Sequence, residues 1–198
     1  WLAPRSSPVE DAVFLEKPPL KFWLVAAPIK LGVLPHSEFG LRFLDATFGS
    51  LAFVYVFAIG MLLAGPTCGG VAVLLLFIHI PLLHMHGLRT NNMEASQLLA
   101  YCGGVFHFLR WAATDDSRSR RRHVYAVALW FVLGFLTKFV AALFLPVVLG
   151  LSALLWRRTR VRLFEDRVTW LAAAGLVLVL CVPWFVYAWV RFGDELWR

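Results

Sequence analysis

The sequence predicts an all-α, polytopic membrane protein with about six crossings and one additional helix at the membrane surface. Two long stretches, from Ala46 to Leu88 and from Val168 to Val190, contain no Lys, Arg, Asp or Glu, and about 20 such residues suffice to cross a bilayer. The chain is also 60% hydrophobic and only 16% charged, whereas soluble domains are roughly 25% charged. Its net charge of +7 comes from bases between the apolar segments, which favours a role in membrane orientation over nucleic-acid binding.

The opening region, residues 1–37, is predicted to be an extracytoplasmic loop that contains an interfacial helix. Residues 20–34 (LKFWLVAAPIKLGVL) are apolar but too short to span, and Lys21 and Lys30 can reach the lipid headgroups from such a helix. The start of the chain has no signal-peptide pattern. We therefore expect the chain to be a fragment entered from an upstream segment.

The remainder, residues 38–198, is predicted to form the transmembrane helical domain. Turn residues and charges divide it into candidate crossings at about 39–65, 69–88, 94–113, 123–138, 139–156 and 168–190.

The stretch from Val124 to Trp156 decides the orientation. A single helix of that length would measure about 50 Å, too long for one ordinary span. Two short crossings that meet near Lys138 place the two arginine-rich loops, residues 110–123 and 157–167 with five arginines each, on one side. The positive-inside rule assigns that side to the cytoplasm. The opening loop, the connection before Glu94 and the turn at Lys138 then face outward.

A charged, proline-containing segment precedes the surface helix. In Glu16-Lys17-Pro18-Pro19, the prolines impose an extended, stiff backbone that can aim the Lys17 ammonium at a lipid phosphate. In the alternative interpretation, Pro-Pro only starts the helix and Lys17 reaches water.

The connection between the second and third crossings is unusually polar. It contains His84, His86, Arg89, Asn91, Asn92 and Glu94. An asparagine cap and a glutamate in the first helical turn account for part of this set. Arg89 can pair with Glu94 or with an anionic substrate. His84 and His86 can contribute to a divalent metal site with Glu16, although the HxH pattern is a weak signal.

Two further charged features lie at helix ends. Lys138 stands alone between apolar stretches, which indicates either a functional cation or a residue at a surface turn. Glu38, Arg42 and Asp45 are spaced as a local ion-pair cluster at the start of the first crossing.

Taken in order, several segments resemble the polyprenyl-phosphate-dependent glycosyltransferases of the GT-C type, which include aminoarabinose transferases and protein O-mannosyltransferases. The similar segments are WLAP, FLEKPPLKFWLVA, SEFGLRFLDATFG, GLRTNNMEA, LGFLTKF and VPWFVYAWVRFG. EKPPL is the most specific of them. The resemblance implies a multi-pass enzyme of the plasma (inner) membrane. It would transfer a sugar from a polyprenyl-phosphate donor to an extracytoplasmic lipid, glycan or protein.

The resemblance also implies residue roles. Lys17 would contact the donor phosphate, with Arg89 and Lys138 as further phosphate-binding candidates, and Glu94 would support catalysis. Glu16 would belong to a metal site, which is the one cofactor implied. The catalytic aspartate of the family lies roughly thirty residues before the lysine of this motif, as a candidate base. We therefore expect that residue upstream of this chain.

Two other functions use the same residues. A transporter or flippase for an anionic lipid or solute would expose charges to both leaflets around a midplane cavity. A non-enzymatic membrane scaffold would be indifferent to the loss of Lys17.

Overall fold

The computed structural model describes residues 17–80 and 91–193, and the regular structure within these ranges is helical. The helices are α1 (Leu20–Lys30), α2 (Glu38–Ala64), α3 (Pro66–Phe77), α4 (Glu94–Ala113), α5 (Ser117–Ala142), α6 (Phe144–Leu155), α7 (Arg157–Glu165) and α8 (Arg167–Phe192). The predicted class, a helical membrane protein, is confirmed. By length and composition α2, α5 and α8 can cross a membrane, whereas α3 and α6 are apolar but shorter. The full count of six crossings stays a prediction.

Helices α2 and α3 form a close antiparallel hairpin. Gly65 joins them with a φ of +88°, a conformation in which glycine has no steric penalty, and Pro66 opens α3. A Cβ atom added at Gly60 would lie only 2.6 Å from the Cα atom of Gly69. These glycines therefore bring the two helix backbones into direct contact.

Helices α4 and α5 pack against each other along most of their length. At one end Glu94 meets Lys138, and towards the other end His107 meets His123, so the two helices run antiparallel. Asp116 caps α5 by accepting the backbone N–H of Ser119 at 2.8 Å, which satisfies one of the free donors of the first turn. The helix therefore begins inside the arginine-rich segment that was predicted to be a loop.

The chain reverses at Lys138. Lys138 and Phe139 leave helical geometry, and Phe139 has a φ of +26°. Beyond this break, Ala142 lies beside Gly134 and Leu145 contacts the position of Gly104 in α4. Residues after 139 therefore return alongside α4 and α5, as the two-crossing interpretation of this stretch predicts.

The apolar core lies where the returning segment packs on α4, α5 and α8. Its buried members are Phe108, Trp111, Val124, Val127, Ala128, Leu145, Leu149, Ala153 and Ala173. These apolar residues pack together inside the bundle, and the charged groups lie at its two ends.

The segment after α6 differs from its prediction. Residues 157–167 were predicted to be an arginine-rich loop, but Arg157–Glu165 form α7. Arg162 is buried, and its guanidinium donates to the carbonyl oxygens of Ala112 at 2.8 Å and Thr114 at 2.6 Å. Arg162 thereby fixes α7 against the end of α4, a tertiary contact that no local pattern reveals.

Candidate functional site

One end of the bundle gathers three lysines and two carboxylates. We call this set, Lys17, Lys21, Asp45, Glu94 and Lys138, the lysine face. Its members come from the segment before α1, the start of α1, the first turns of α2, the start of α4 and the break within α5. Residues far apart in sequence therefore meet at one surface.

A buried ion pair forms the base of the lysine face. The Lys21 ammonium donates to Oδ1 of Asp45, and the two side chains are 3% and 0% exposed. Oδ2 of Asp45 accepts the backbone N–H of Asn92 at 3.1 Å. Burial lowers the pKa of Lys21, while the hydrogen bond and charge of Asp45 oppose that shift. Asp45 thus joins α1, α2 and the segment that enters α4.

This pair corrects two sequence predictions. Lys21 does not reach the headgroups, since it is 2% exposed. Asp45 does not belong to a local cluster either, because its partner is Lys21 in another helix. The pair of Glu38 with Arg42 does form, on an exposed surface. An ammonium this deeply buried is stable only with a partner, so the long-range contact prevails over the nearer arginine.

Lys138 and Glu94 form a second, more accessible pair. The Lys138 ammonium lies 2.8 Å from Oε1 of Glu94, and the side chains are 36% and 30% exposed. The adjacent Phe139 has a positive φ, and backbone conformations this sparsely populated cost a non-glycine residue on the order of 1–3 kcal/mol. Its ring packs 5.1 Å from each of the rings of Phe135 and Phe185, and these contacts offset the strain. The reversal therefore holds the ammonium in place.

Lys17 completes the lysine face. Its side chain is half-buried, and the following Pro18 and Pro19 are fully buried. The Lys17 charge interacts favourably with the Glu94 carboxylate. Lys17, Glu94 and Lys138 are three of the residues selected from the sequence, and the fold brings them together.

An apolar pocket of about 330 Å³ opens beside the start of α1, between α1, α5 and α8. It is lined by Pro19, Leu20, Trp23, Leu136, Leu180, Pro183, Trp184 and Tyr187. Pro19 lines this pocket and follows Lys17 by two residues, so the pocket lies beside the lysine face. A charged surface and an apolar pocket thus meet at one place.

Four predicted site residues, Glu16, His84, His86 and Arg89, lie outside the described residues. The metal site that Glu16 would form with the histidines, and the pairing of Arg89 with Glu94, stay predictions. Within residues 17–80 and 91–193, no three His, Cys, Asp or Glu side chains are grouped as metal ligands.

The opposite end of the bundle carries arginines. We call the arginines of residues 110–122 and 157–167, with their carboxylate partners, the arginine face. Asp166 accepts from Trp111 at 2.8 Å and from Arg120 at 3.2 Å, and Asp115 accepts from Arg162. Both arginine-rich segments therefore lie at one end, as their predicted shared side requires.

Sequence reasoning missed the pair of Lys21 with Asp45. A signal was present, since Asp45 directly precedes the charge-free stretch that begins at Ala46. An acid at the edge of such a stretch requires a cation. The sequence offered Arg42 three residues away, and only the packing of α1 against α2 selects Lys21.

Comparisons with known proteins bear on the same residues. A family model for dolichyl-phosphate-mannose-protein mannosyltransferases matches residues 16–187, which include every residue of the lysine face. Searches of curated proteins and of solved structures gave no significant match. The match confirms the GT-C resemblance of the sequence. The chain therefore belongs to the dolichyl-phosphate-mannose-protein mannosyltransferase family, whose members are glycosyltransferases that use lipid-linked sugar donors.

Proposed function

We propose that the lysine face grips the phosphate of a polyprenyl-phosphate sugar donor. The sugar passes from this donor to an extracytoplasmic acceptor, which is a lipid, a glycan or a protein hydroxyl. The protein acts in the plasma (inner) membrane, with the lysine face outward and the arginine face in the cytoplasm, as the positive-inside rule favours.

The placement of Lys17 and Lys138 beside Glu94 supports this proposal. Lys21 pairs with Asp45 in a buried contact, whereas Lys17 and Lys138 are partly exposed near the Glu94 carboxylate. An ammonium binds phosphate as a point charge. Two partly exposed ammonium groups at one surface suit the binding of a single lipid phosphate.

The chemistry explains why fixed cations accelerate the transfer. The acceptor oxygen bonds to the anomeric carbon while the bond from that carbon to the phosphate oxygen breaks. Its electron pair stays on the departing lipid phosphate, and the acceptor proton passes to a general base. Negative charge grows on the phosphate in the transition state, so a cation already in position lowers the barrier.

Glu94 offers a second contact for the substrates. Its Oε1 atom bonds Lys138, whereas its buried Oε2 atom has no hydrogen-bond partner among the described residues. A buried carboxylate oxygen left without a donor is costly. We assign this atom to a hydroxyl of the acceptor or of the donor sugar, while Oε1 positions Lys138.

The apolar pocket is suited to hold the hydrocarbon chain of the donor. Its position two residues from Lys17 lets a hydrocarbon chain enter between α1, α5 and α8 while its phosphate stays at the lysine face. Its walls are mainly apolar and aromatic, which suits the first isoprene units by burial of apolar surface.

The decisive experiment replaces Lys17 in the full-length protein. Lys17→Ala is expected to lower transfer from a polyprenyl-phosphate sugar by at least about tenfold, equivalent to roughly 1.4 kcal/mol in the barrier. Lys17→Arg should restore only part of the activity, because a planar guanidinium differs in reach and shape. Lys30→Ala is the matched control at the exposed end of α1.

Near-normal turnover of Lys17→Ala would contradict the phosphate role. Flux measurements in reconstituted vesicles address the transporter alternative. Movement of the lipid or solute across the bilayer without sugar transfer would replace the enzymatic proposal.

A further inference from the structure

We propose that the arginine face binds the phosphate headgroups of anionic phospholipids, with α7 lying in the plane of that membrane surface. This surface is at the end of the bundle opposite the lysine face. The inference does not rest on sugar transfer.

The carboxylates at this end are already engaged within the protein. Asp115 pairs with Arg162, and Asp116 caps the first turn of α5. Asp166 lies 3.0 Å from Arg120, and Glu165 lies 3.6 Å from the same guanidinium. These carboxylates therefore neutralise mainly Arg120 and Arg162, the two least exposed arginines of this face.

A larger group of exposed arginines remains. Within residues 17–80 and 91–193, these side chains form no ion pair with a carboxylate: Arg110, Arg118, Arg121, Arg122, Arg157, Arg160 and Arg167. A guanidinium donates two parallel hydrogen bonds to a phosphate and is less strongly hydrated than an ammonium. Seven such groups at one end of the bundle are therefore accessible to anions from outside the chain.

Helix α7 indicates which anions these are. Its exposed side carries Arg157 and Arg160 together with Val161 and Phe164, whose side chains are 49% and 63% exposed. Trp156, at the start of the helix, is 57% exposed. Guanidinium groups beside exposed aromatic and aliphatic groups suit the boundary between headgroups and acyl chains. A soluble anion would leave the apolar groups in water.

The position of α7 agrees with this assignment. The spanning helices α5 and α8 both begin at the arginine face, so this end lies at a membrane boundary. Arg157 and Arg162 also line a cleft of about 660 Å³, with Asp115 and Glu165 in its wall. The cleft offers room for a headgroup beside the helix.

Lipid selectivity in vesicles tests the proposal. The full-length protein is reconstituted in phosphatidylcholine, and its association with spin-labelled phosphatidylglycerol is compared with that of spin-labelled phosphatidylcholine. Each surface arginine contributes about 1 kcal/mol towards an anionic membrane, equivalent to roughly fivefold. We expect phosphatidylglycerol to be favoured by at least about threefold.

The variants remove charge from α7 without touching the buried arginines. Arg157→Gln with Arg160→Gln is expected to reduce the preference by at least about twofold, whereas Arg42→Gln at the other end should retain it. Equal association of the two lipids with the wild-type protein, or full preference in the α7 double variant, would overturn the proposal.

Two further measurements use only the wild-type protein, so they do not depend on the folding of a variant. High NaCl should weaken the preference, because counterions screen the headgroup contacts. Inorganic phosphate should weaken it no more than NaCl of the same ionic strength. A much stronger effect of phosphate would identify a site for a free anion and refute the assignment to lipid.

Discussion

The two charged ends of the bundle use different cations in different ways. At the lysine face, one buried pair holds the helices together, and Lys138 pairs with Glu94, whose carboxylate also interacts with the charge of Lys17. At the arginine face, Arg162 donates to carbonyl oxygens at the end of α4, and Arg120 bonds the carboxylates that end α7. The fork of guanidinium donors suits the linking of several acceptors, whereas an ammonium presents a compact charge to one ligand. We therefore expect buried contacts at both faces to contribute to stability, the exposed arginines to contact lipid, and the partly exposed lysines to serve chemistry.

The largest expected effect comes from the buried pair of the lysine face. Asp45→Ala leaves the Lys21 ammonium buried without its partner, so the free energy of unfolding should fall by about 3–5 kcal/mol. Denaturant unfolding in micelles measures this change. The double variant Lys21→Met with Asp45→Leu should recover most of the loss, because it removes both charges. A loss as large in the double variant as in Asp45→Ala would show that packing, not charge, is responsible.

The second-largest effect on stability is expected at the arginine face. Arg162→Met removes the donors to the carbonyl oxygens of Ala112 and Thr114, and we expect about 2 kcal/mol of destabilisation. Transfer activity per folded molecule should change less than about twofold, because the site lies at the other end. A tenfold loss of activity in the folded variant would remove the functional distinction between the two faces.

A smaller effect on stability, but a larger one on turnover, is expected at Glu94. Glu94→Gln retains the shape and weakens the contact with Lys138, which is worth about 1 kcal/mol for a half-exposed pair. The amide cannot hold the Lys138 ammonium by charge, so kcat should fall by more than the small loss of folded protein explains. Measuring kcat and the unfolding midpoint of the same variant separates the effect on turnover from the effect on stability. A parallel decline of both would assign Glu94 a structural role only.

The smallest effect is expected at the exposed pair of Glu38 and Arg42. Glu38→Gln should change the free energy of unfolding by less than about 0.5 kcal/mol, because water screens an exposed pair one helical turn apart. The same unfolding assay provides the comparison with Asp45→Ala. A cost above 1 kcal/mol would show that this pair is more than a surface contact.

The sequence predicts the helical membrane class and the reversal at Lys138 because both depend on length, hydropathy and loop charge. The grouping of Lys17, Glu94 and Lys138 follows from the same topology, since alternate crossings return the chain to one side. The charges of the loops, however, predict only the side of the membrane on which each residue lies. It does not specify that Glu94 contacts Lys138 at 2.8 Å.

Long-range packing explains what the sequence did not predict. Lys21 and Arg42 are both near enough in the chain to be partners of Asp45, and only the docking of α1 on α2 distinguishes them. Helix α7 was missed because its stability depends on the contacts of Arg162 with residues some fifty positions earlier. Periodicity within one segment carries no information about such contacts.

The contact of Asp45 with Lys21 and Asn92 also sets an order of assembly during synthesis. Lys21 leaves the ribosome before Asp45, so their pair can form only after the start of α2 has been synthesised. Asp45 can accept the N–H of Asn92 only after the next connection has been made, and Glu94 meets Lys138 later still. The surface proposed to bind the donor phosphate therefore begins with one of the first helices and is complete only after α5 has been synthesised.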